Sequence, residues 1–344
     1  MPLAVRTLLT LAISTIGAIA MGFTGIGGAM LMGGAIAVTI AVAAGFKAVV
    51  PNGARNVLFV GVGLSMGASV APDTLQLIGQ WPITLLALVI ELILIVMACG
   101  LFLTWVFRLD KPTAYLSSFP GHLSFIVALA TAGTGDSRQI VVIQTIRVAL
   151  LTLFAPIGAL FLPVGDFSAG AGAEPMAMET LAMAALACTF SGWVFNRMGI
   201  PAGYVLGSMA TATVLKLAGL FPGQLPQLLI DATFIGMGAL IGSRFAGISR
   251  KDMANALAGG IGSTAIAVAI VTLTALITAQ FVDMPVGQIW LGLSPGGLES
   301  MGALGIALGY DTAFIAAHHV FRLLLLTFAI PVVAMMLRNT AKAT

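Results

Sequence analysis

The sequence predicts an all-α integral membrane protein built from two inverted repeats. Each repeat has about five spans plus one re-entrant or broken helix, roughly ten transmembrane helices in all. Three observations predict this. The composition is that of a chain dissolved in lipid, with 59% hydrophobic and 8% charged residues and a mean hydropathy of +1.09, where ordinary domains carry about a quarter charged residues. Most of the chain occurs twice, 175 positions apart. The basic residues fall in connections that alternate in opposite phase in the two halves.

The duplication runs without a gap over its best-matched part. Pro120-Gly121 returns as Pro295-Gly296, Leu123 as Leu298, Asp136 as Asp311, Arg147 as Arg322 and Pro156 as Pro331. Upstream, Gly61, Gly63 and Gly67 return as Gly236, Gly238 and Gly242, and nearer the N-terminus the register slips by one, pairing Gly33 with Gly207. Residues 1–165 and 170–344 are therefore read as two membrane repeats forming one transmembrane domain.

Apolar runs of roughly 17–25 residues, the length that crosses a hydrocarbon core of about 30 Å, lie between Gly, Pro and charged punctuation. They predict elements at 5–23, 27–46, 54–71, 82–106, 113–133 and 138–162, then at 178–196, 201–219, 229–245, 254–281, 287–308 and 312–336. The first resembles a signal peptide, with Arg6 before an apolar stretch. Its internal counterpart near Met178 cannot be one, so a mature span is expected. The fifth element of each half holds Pro-Gly at its middle. Pro cannot continue a helix and Gly favours a break, which predicts two half-helices, either a re-entrant hairpin or a broken crossing.

Positive charge favours the hairpin. Arg6, Lys47 with Arg55, and Arg108 with Lys111 mark alternate connections in the first half. Arg197, Arg244 with Arg250 and Lys251, and Arg338 with Lys342 mark the complementary ones in the second. Five crossings plus a re-entrant element turn the second copy over and place both termini in the cytoplasm, with Lys216 a snorkelling exception. A bacterial inner membrane is the expected location.

The candidate site residues cluster around the two breaks. A helix that starts in mid-membrane offers unpaired N–H groups and a positive dipole end, so Pro120, Gly121, His122, Pro295, Gly296, Gly297 and Glu299 are candidates. On the last span of the second half, Asp311, His318 and Arg322 share a helical face, and His319 lies about 100° further round, one turn before Arg322. The first half repeats Asp136 and Arg147 but has Ile143 and Gln144 in place of the histidines. Arg147 and Arg322 fall about 13–16 Å from their helix starts, near mid-bilayer, where an arginine is paired or faces a cavity. Two readings stay open: end-anchors and interhelical glue, or a substrate and proton path. Glu91 stands without an acidic counterpart, since Ile266 takes its place.

The remaining features exclude whole classes of function. A net charge of +3 spread over span ends makes no basic patch, so no nucleic-acid partner is expected. Cys99 and Cys188 lie inside apolar spans and read as small hydrophobes without a metal or disulfide framework. The glycine stripes have small-xxx-small spacing for close helix packing and are not a dinucleotide fingerprint. No cofactor is expected.

Through Pro295-Gly296-Gly297, Gly309-Tyr310-Asp311, Ile315-Ala316, His319, Arg322 and Pro331, with a weaker first-half copy, the chain resembles the AbrB-type membrane protein family, whose members carry a duplicated membrane domain. The resemblance spans nearly the whole length. It departs from the pattern at His122, which replaces the second glycine, and at Ser124 and Phe125, where an acidic residue would follow the break. It implies labels of ammonia monooxygenase or regulator of gene expression. A copper oxygenase needs converging imidazoles, and of three histidines two are adjacent and diverge on a helix. A direct regulator needs a DNA-binding module. In architecture the chain is similar to ion-coupled secondary transporters with five-span inverted repeats.

The function expected is secondary transport of a small anionic metabolite, a carboxylate, at the repeat interface. The half-helix N-termini, Arg147 and Arg322 would attract it. Asp136, Asp311, Glu299, His318 and His319 are the candidates for proton or sodium coupling. The partners are thus the bilayer, the solute and a coupling ion, and a homo-oligomer is compatible with the sequence. The alternatives are a membrane sensor or scaffold with an indirect effect on gene expression, and a metal-dependent membrane oxidoreductase.

Overall fold

Helix starts recur at the period of the sequence repeat. Leu3 and Met178, Asn52 and Gln227, Lys111 and Val286, and Ser137 and Thr312 each open corresponding helices. In the computed structural model the residues described are 1–25, 28–70, 79, 81–121, 126, 135–159, 176–220, 225–247 and 250–342. Among them there is no β-strand. The helices are α1 (Leu3–Gly22), α2 (Ala29–Ala43), α3 (Asn52–Ala68), α4 (Trp81–Trp105), α5 (Lys111–Ser118), α6 (Ser137–Ala159) and α7 (Met178–Arg197). They continue with α8 (Gly203–Leu217), α9 (Gln227–Ser243), α10 (Arg250–Thr278), α11 (Val286–Leu293), α12 (Leu298–Ala307) and α13 (Thr312–Lys342).

Among the described residues, six stretches are long and apolar enough to cross a membrane: Leu3–Gly22, Trp81–Trp105, Met178–Arg197, Gln227–Ala246, Ala256–Thr278 and Thr312–Val333. The sequence predicts roughly ten. The difference lies partly in α2 and α8, which have 15 residues each and reach about 22 Å at 1.5 Å per residue, short of a core of about 30 Å. Several apolar spanning-length helices make this a multi-pass membrane protein. On α1 and α7 the large apolar side chains point away from protein, as Ile16 (68% exposed) and Leu186 (73%) show; these are lipid-facing surfaces.

The helices gather into two compact units. One comprises residues 1–79, 152–246 and 298–316, and the other 80–151, 247–297 and 317–344. Each takes segments from both sequence halves, and α6 and α13 contribute to both.

The first unit is packed through glycine. A Cβ on Gly17 of α1 would overlap the carbonyl oxygen of Gly33 on α2, and one on Gly33 would overlap that of Gly17. The equivalent second-half pair, Gly192 and Gly207, joins α7 to α8 with Cβ–backbone approaches of 2.6–3.2 Å. Between halves the contacts are reciprocal. Gly63 and Gly67 of α3 lie on the Val205 and Met209 carbonyls of α8, while Gly238 and Gly242 of α9 lie on the Leu31 and Ala35 carbonyls of α2. Val205 and Met209 occupy the repeat positions of Leu31 and Ala35. The third helix of each half thus packs on the second helix of the other in the same register, the close approach that small-xxx-small spacing permits.

In the second unit, α4 packs on α5, α10 and α11. Gly100 of α4 lies under the Tyr115 ring of α5, Gly262 of α10 meets the Phe102 ring of α4, and Gly260 of α10 packs on Ile146 of α6. An apolar core of Val96, Leu116, Phe119, Ile126, Ile140, Leu326 and Ile330 fills this unit around the first Pro-Gly break.

Candidate functional site

The first break is a short helix that stops before proline. Asp110 caps α5, its carboxylate accepting from the Thr113 N–H at 3.0 Å, and Pro112 sits in the first turn, where its missing N–H costs nothing. After Ser118, Phe119 is extended and Gly121 has φ +119°, a conformation in which a side chain is strained. The last carbonyls of a helix have no partner of their own. Here α6 supplies donors for four in succession. Gln144 Nε2 donates to the Leu116 oxygen at 3.0 Å, Arg147 Nη1 to Ser117 and Ser118 at 3.3 Å each, and Arg147 Nη2 to Phe119 at 2.8 Å. A cation at a helix C-terminus also opposes the negative end of the dipole. Both side chains are buried.

The second break repeats the device. α11 ends at Leu293, and α12 begins at Leu298. Arg322 of α13 donates through Nη1 to the Ser294 oxygen and through Nη2 to the Gly296 oxygen at 2.7 Å. Ser294 occupies the repeat position of Phe119, so the two arginines do equivalent work. Each holds the interrupted backbone of its own half with donors that a lysine could not deploy as a planar fork.

The breaks also meet on one helix. A Cβ at Gly121 would lie 3.5 Å from Leu323 and from Leu326, and Phe119 shares an apolar cluster with Leu326. The turn of α13 that carries Arg322 therefore serves the second break through its arginine and packs on the first through its leucines. Pro120, Gly121, Arg147, Pro295, Gly296, Gly297, His318, His319 and Arg322 all belong to this second unit.

The other predicted residues have distinct settings. His318 and His319 are fully buried; His318 Nε2 and Thr84 Oγ1 of α4 are 2.7 Å apart, with the Trp81 ring edge-on to the imidazole. Asp136 and Asp311 are helix caps. Asp136 accepts from the Arg138 and Gln139 N–H groups and from Gln139 Nε2, and Asp311 from those of Ala313 and Phe314. Asp136 is exposed and Asp311 buried. Asp311 and Glu299 belong to the first unit, where Glu299, in the first turn of α12, pairs with Arg244 at 3.1 Å. His122, Ser124 and Phe125 lie outside the described residues.

Sequence reasoning missed the carbonyl-capping role of Gln144 and the Thr84–His318 contact. A signal for the first exists: a short helix that ends at Pro-Gly leaves carbonyls that a long-armed donor on the next helix must satisfy. No signal in the sequence pairs residues 84 and 318.

Among the described residues no three His, Cys, Asp or Glu side chains gather so as to hold a metal ion. At one end of the second unit, Asp136, Arg138, Gln139, Leu103, Phe107 and Ala256 line part of an open cavity of about 300 Å³.

Residues 30–338 match the family model described as "Transition state regulatory protein AbrB". The chain belongs to the AbrB family. Similar proteins include the "Uncharacterized protein YhjN" of Bacillus subtilis (strain 168), 24% identical over 293 residues that cover 78% of this chain and 75% of that protein. Another is the "Putative regulator AbrB" of Escherichia coli (strain K12), 24% identical over 265 residues and 74% of each chain. Both breaks and both arginines of this AbrB-family chain fall within the matched region.

Proposed function

We propose that this AbrB-family protein is a secondary transporter of a small carboxylate anion, coupled to protons or sodium. The observation that carries the reading is the pair of arginine-held Pro-Gly breaks sharing one turn of α13. Irregular backbone at membrane depth is tolerated where it is buried in protein or lines a water-filled cavity, and paired broken helices at a repeat junction are a recurrent transport-site architecture. Two buried guanidinium charges beside the breaks set a positive field for an anion, and the Arg244 partner of Glu299 offsets the one carboxylate beside the second break. The reciprocal glycine contacts of α2, α3, α8 and α9 support a two-fold relation between halves. With the alternating basic loops this is read as inversion, in a bacterial inner membrane with both termini cytoplasmic.

The test is counterflow of labelled small carboxylates in proteoliposomes. Saturable exchange that Arg322→Ala abolishes is the expected result.

A second reading, a membrane sensor or scaffold acting indirectly on gene expression, is favoured by the use of guanidinium donors on backbone carbonyls and of aspartates on helix caps. The regulator names of the family model and of the Escherichia coli relative point the same way. Purified protein that carries no flux for any carboxylate tested, yet responds to a metabolite by thermal stabilisation, would establish that reading instead. Stoichiometric copper or iron in metal analysis would favour an oxidoreductase.

A further inference from the structure

The carboxyl of Glu91 is a buried polar group of the second unit that takes no part in holding the two breaks. It lies ten residues into α4, about 15 Å along the helix and so near the middle of a span of 25 residues. The residue is fully buried. Among the described residues neither carboxyl oxygen has a hydrogen-bond partner. Glu91 follows Thr84 by two turns on one face of α4. Thr84 contacts His318, and Arg322 lies one turn beyond His318 on α13.

The other ionisable groups on the elements around α4 include His318, which meets Thr84, and His319, buried beside it on α13. Tyr115 of α5 lies against Gly100, Cys99 donates to the Ser263 oxygen of α10, and Arg147 is held by the first break. Lys111 opens α5 at its far end, Arg250, Lys251 and Asp252 begin α10, and α11 contains no ionisable residue.

We propose that Glu91 is the proton-binding residue of the transporter, and that its charge competes with the Pro-Gly break for Arg322. The proposal rests on the transport reading for its purpose, though not for its chemistry. An ionised carboxyl buried without a donor from the described residues is a costly species in this setting, and a neutral acid is the form it accepts. The arrangement seen, with Arg322 on the Ser294 and Gly296 carbonyls, is then the protonated state. Release of the proton to water leaves a carboxylate whose natural partner is the neighbouring guanidinium. Drawn toward that carboxylate, the guanidinium loosens its hold on the Ser294 and Gly296 carbonyls, so one proton is exchanged against the backbone geometry beside the solute.

Infrared difference spectroscopy of the purified full chain in lipid nanodiscs, titrated with pH, tests this directly. Wild type should show a neutral-carboxyl carbonyl band that disappears as pH rises. Glu91→Gln should lack the band, and Glu91→Asp should retain it at a shifted frequency, which also controls for folding. A band that persists in Glu91→Gln, that does not titrate, or that is absent from wild type overturns the proposal. In proteoliposomes under a pH gradient, Glu91→Gln should lose solute accumulation; accumulation equal to wild type also overturns it. A titrating Glu91 band in a protein with no solute flux would sink the transport reading and leave the proton site standing.

Discussion

Arg147 and Arg322 illustrate how a costly residue becomes a structural necessity. Each is buried on a helix, and each spends its donors on carbonyls that would otherwise face a low-dielectric interior unpaired. Lysine keeps the charge but lacks the fork. Arg147→Lys and Arg322→Lys should each lower stability by about 1–3 kcal/mol, the usual cost of leaving a buried acceptor unsatisfied, as read by unfolding in mixed micelles; unchanged stability would mean that water already serves those carbonyls. The Thr84–His318 pair calls for a different measurement. A double-mutant cycle of Thr84→Val and His318→Phe should return a coupling of about 0.5–2 kcal/mol, the range for interhelical hydrogen bonds in membranes. A coupling near zero would show the contact to be incidental.

At the scale of elements, the glycines of α3 and α9 decide how near the helices come. A methyl group on Gly63 collides with the Val205 carbonyl, and one on Gly238 comes to 2.6 Å from the Leu31 carbonyl. Backbone has little room to give, unlike the end of a flexible side chain. Gly63→Ala and Gly238→Ala should therefore each destabilise the first unit by about 1–3 kcal/mol, as overpacking does. Gly53→Ala, where a Cβ meets nothing within 4 Å, should leave the melting temperature nearly unchanged. Equal shifts at all three positions would remove the packing argument.

For the whole molecule the open question is orientation. The reciprocal packing of second and third helices relates the halves in space, and the basic loops predict a side for each connection. Single cysteines at Gly79 and Ala246, each just beyond the third helix of its half, should react with a membrane-impermeant reagent from opposite faces of the membrane. Labelling from the same face would make the repeats parallel and return the fifth elements to full crossings.

The sequence by itself determined that the chain lives in lipid, that it is duplicated, and that each half contains a broken element. Composition, a fixed offset and Pro-Gly are local or periodic signals, and they survive without knowledge of contacts. Six of the predicted elements reach spanning length and apolarity by themselves. Helices α2 and α8 fall short, because Gly45 and Gly219, both with positive φ, lie just beyond their ends while the apolar pattern continues past them. The arginines were legible as important, but the carbonyls they hold were not. That depended on which atoms lie within 3.5 Å, and a carbonyl capped by Arg147 from 28 to 30 residues away leaves no periodic trace. Only the tertiary structure decided that Asp136 and Asp311 cap helices, that both breaks meet the Arg322 turn of α13, and that Glu91 is fully buried. The physical reason is that hydrophobic periodicity reports which face is buried, whereas the pairing of buried polar groups is set by the packing that buries them.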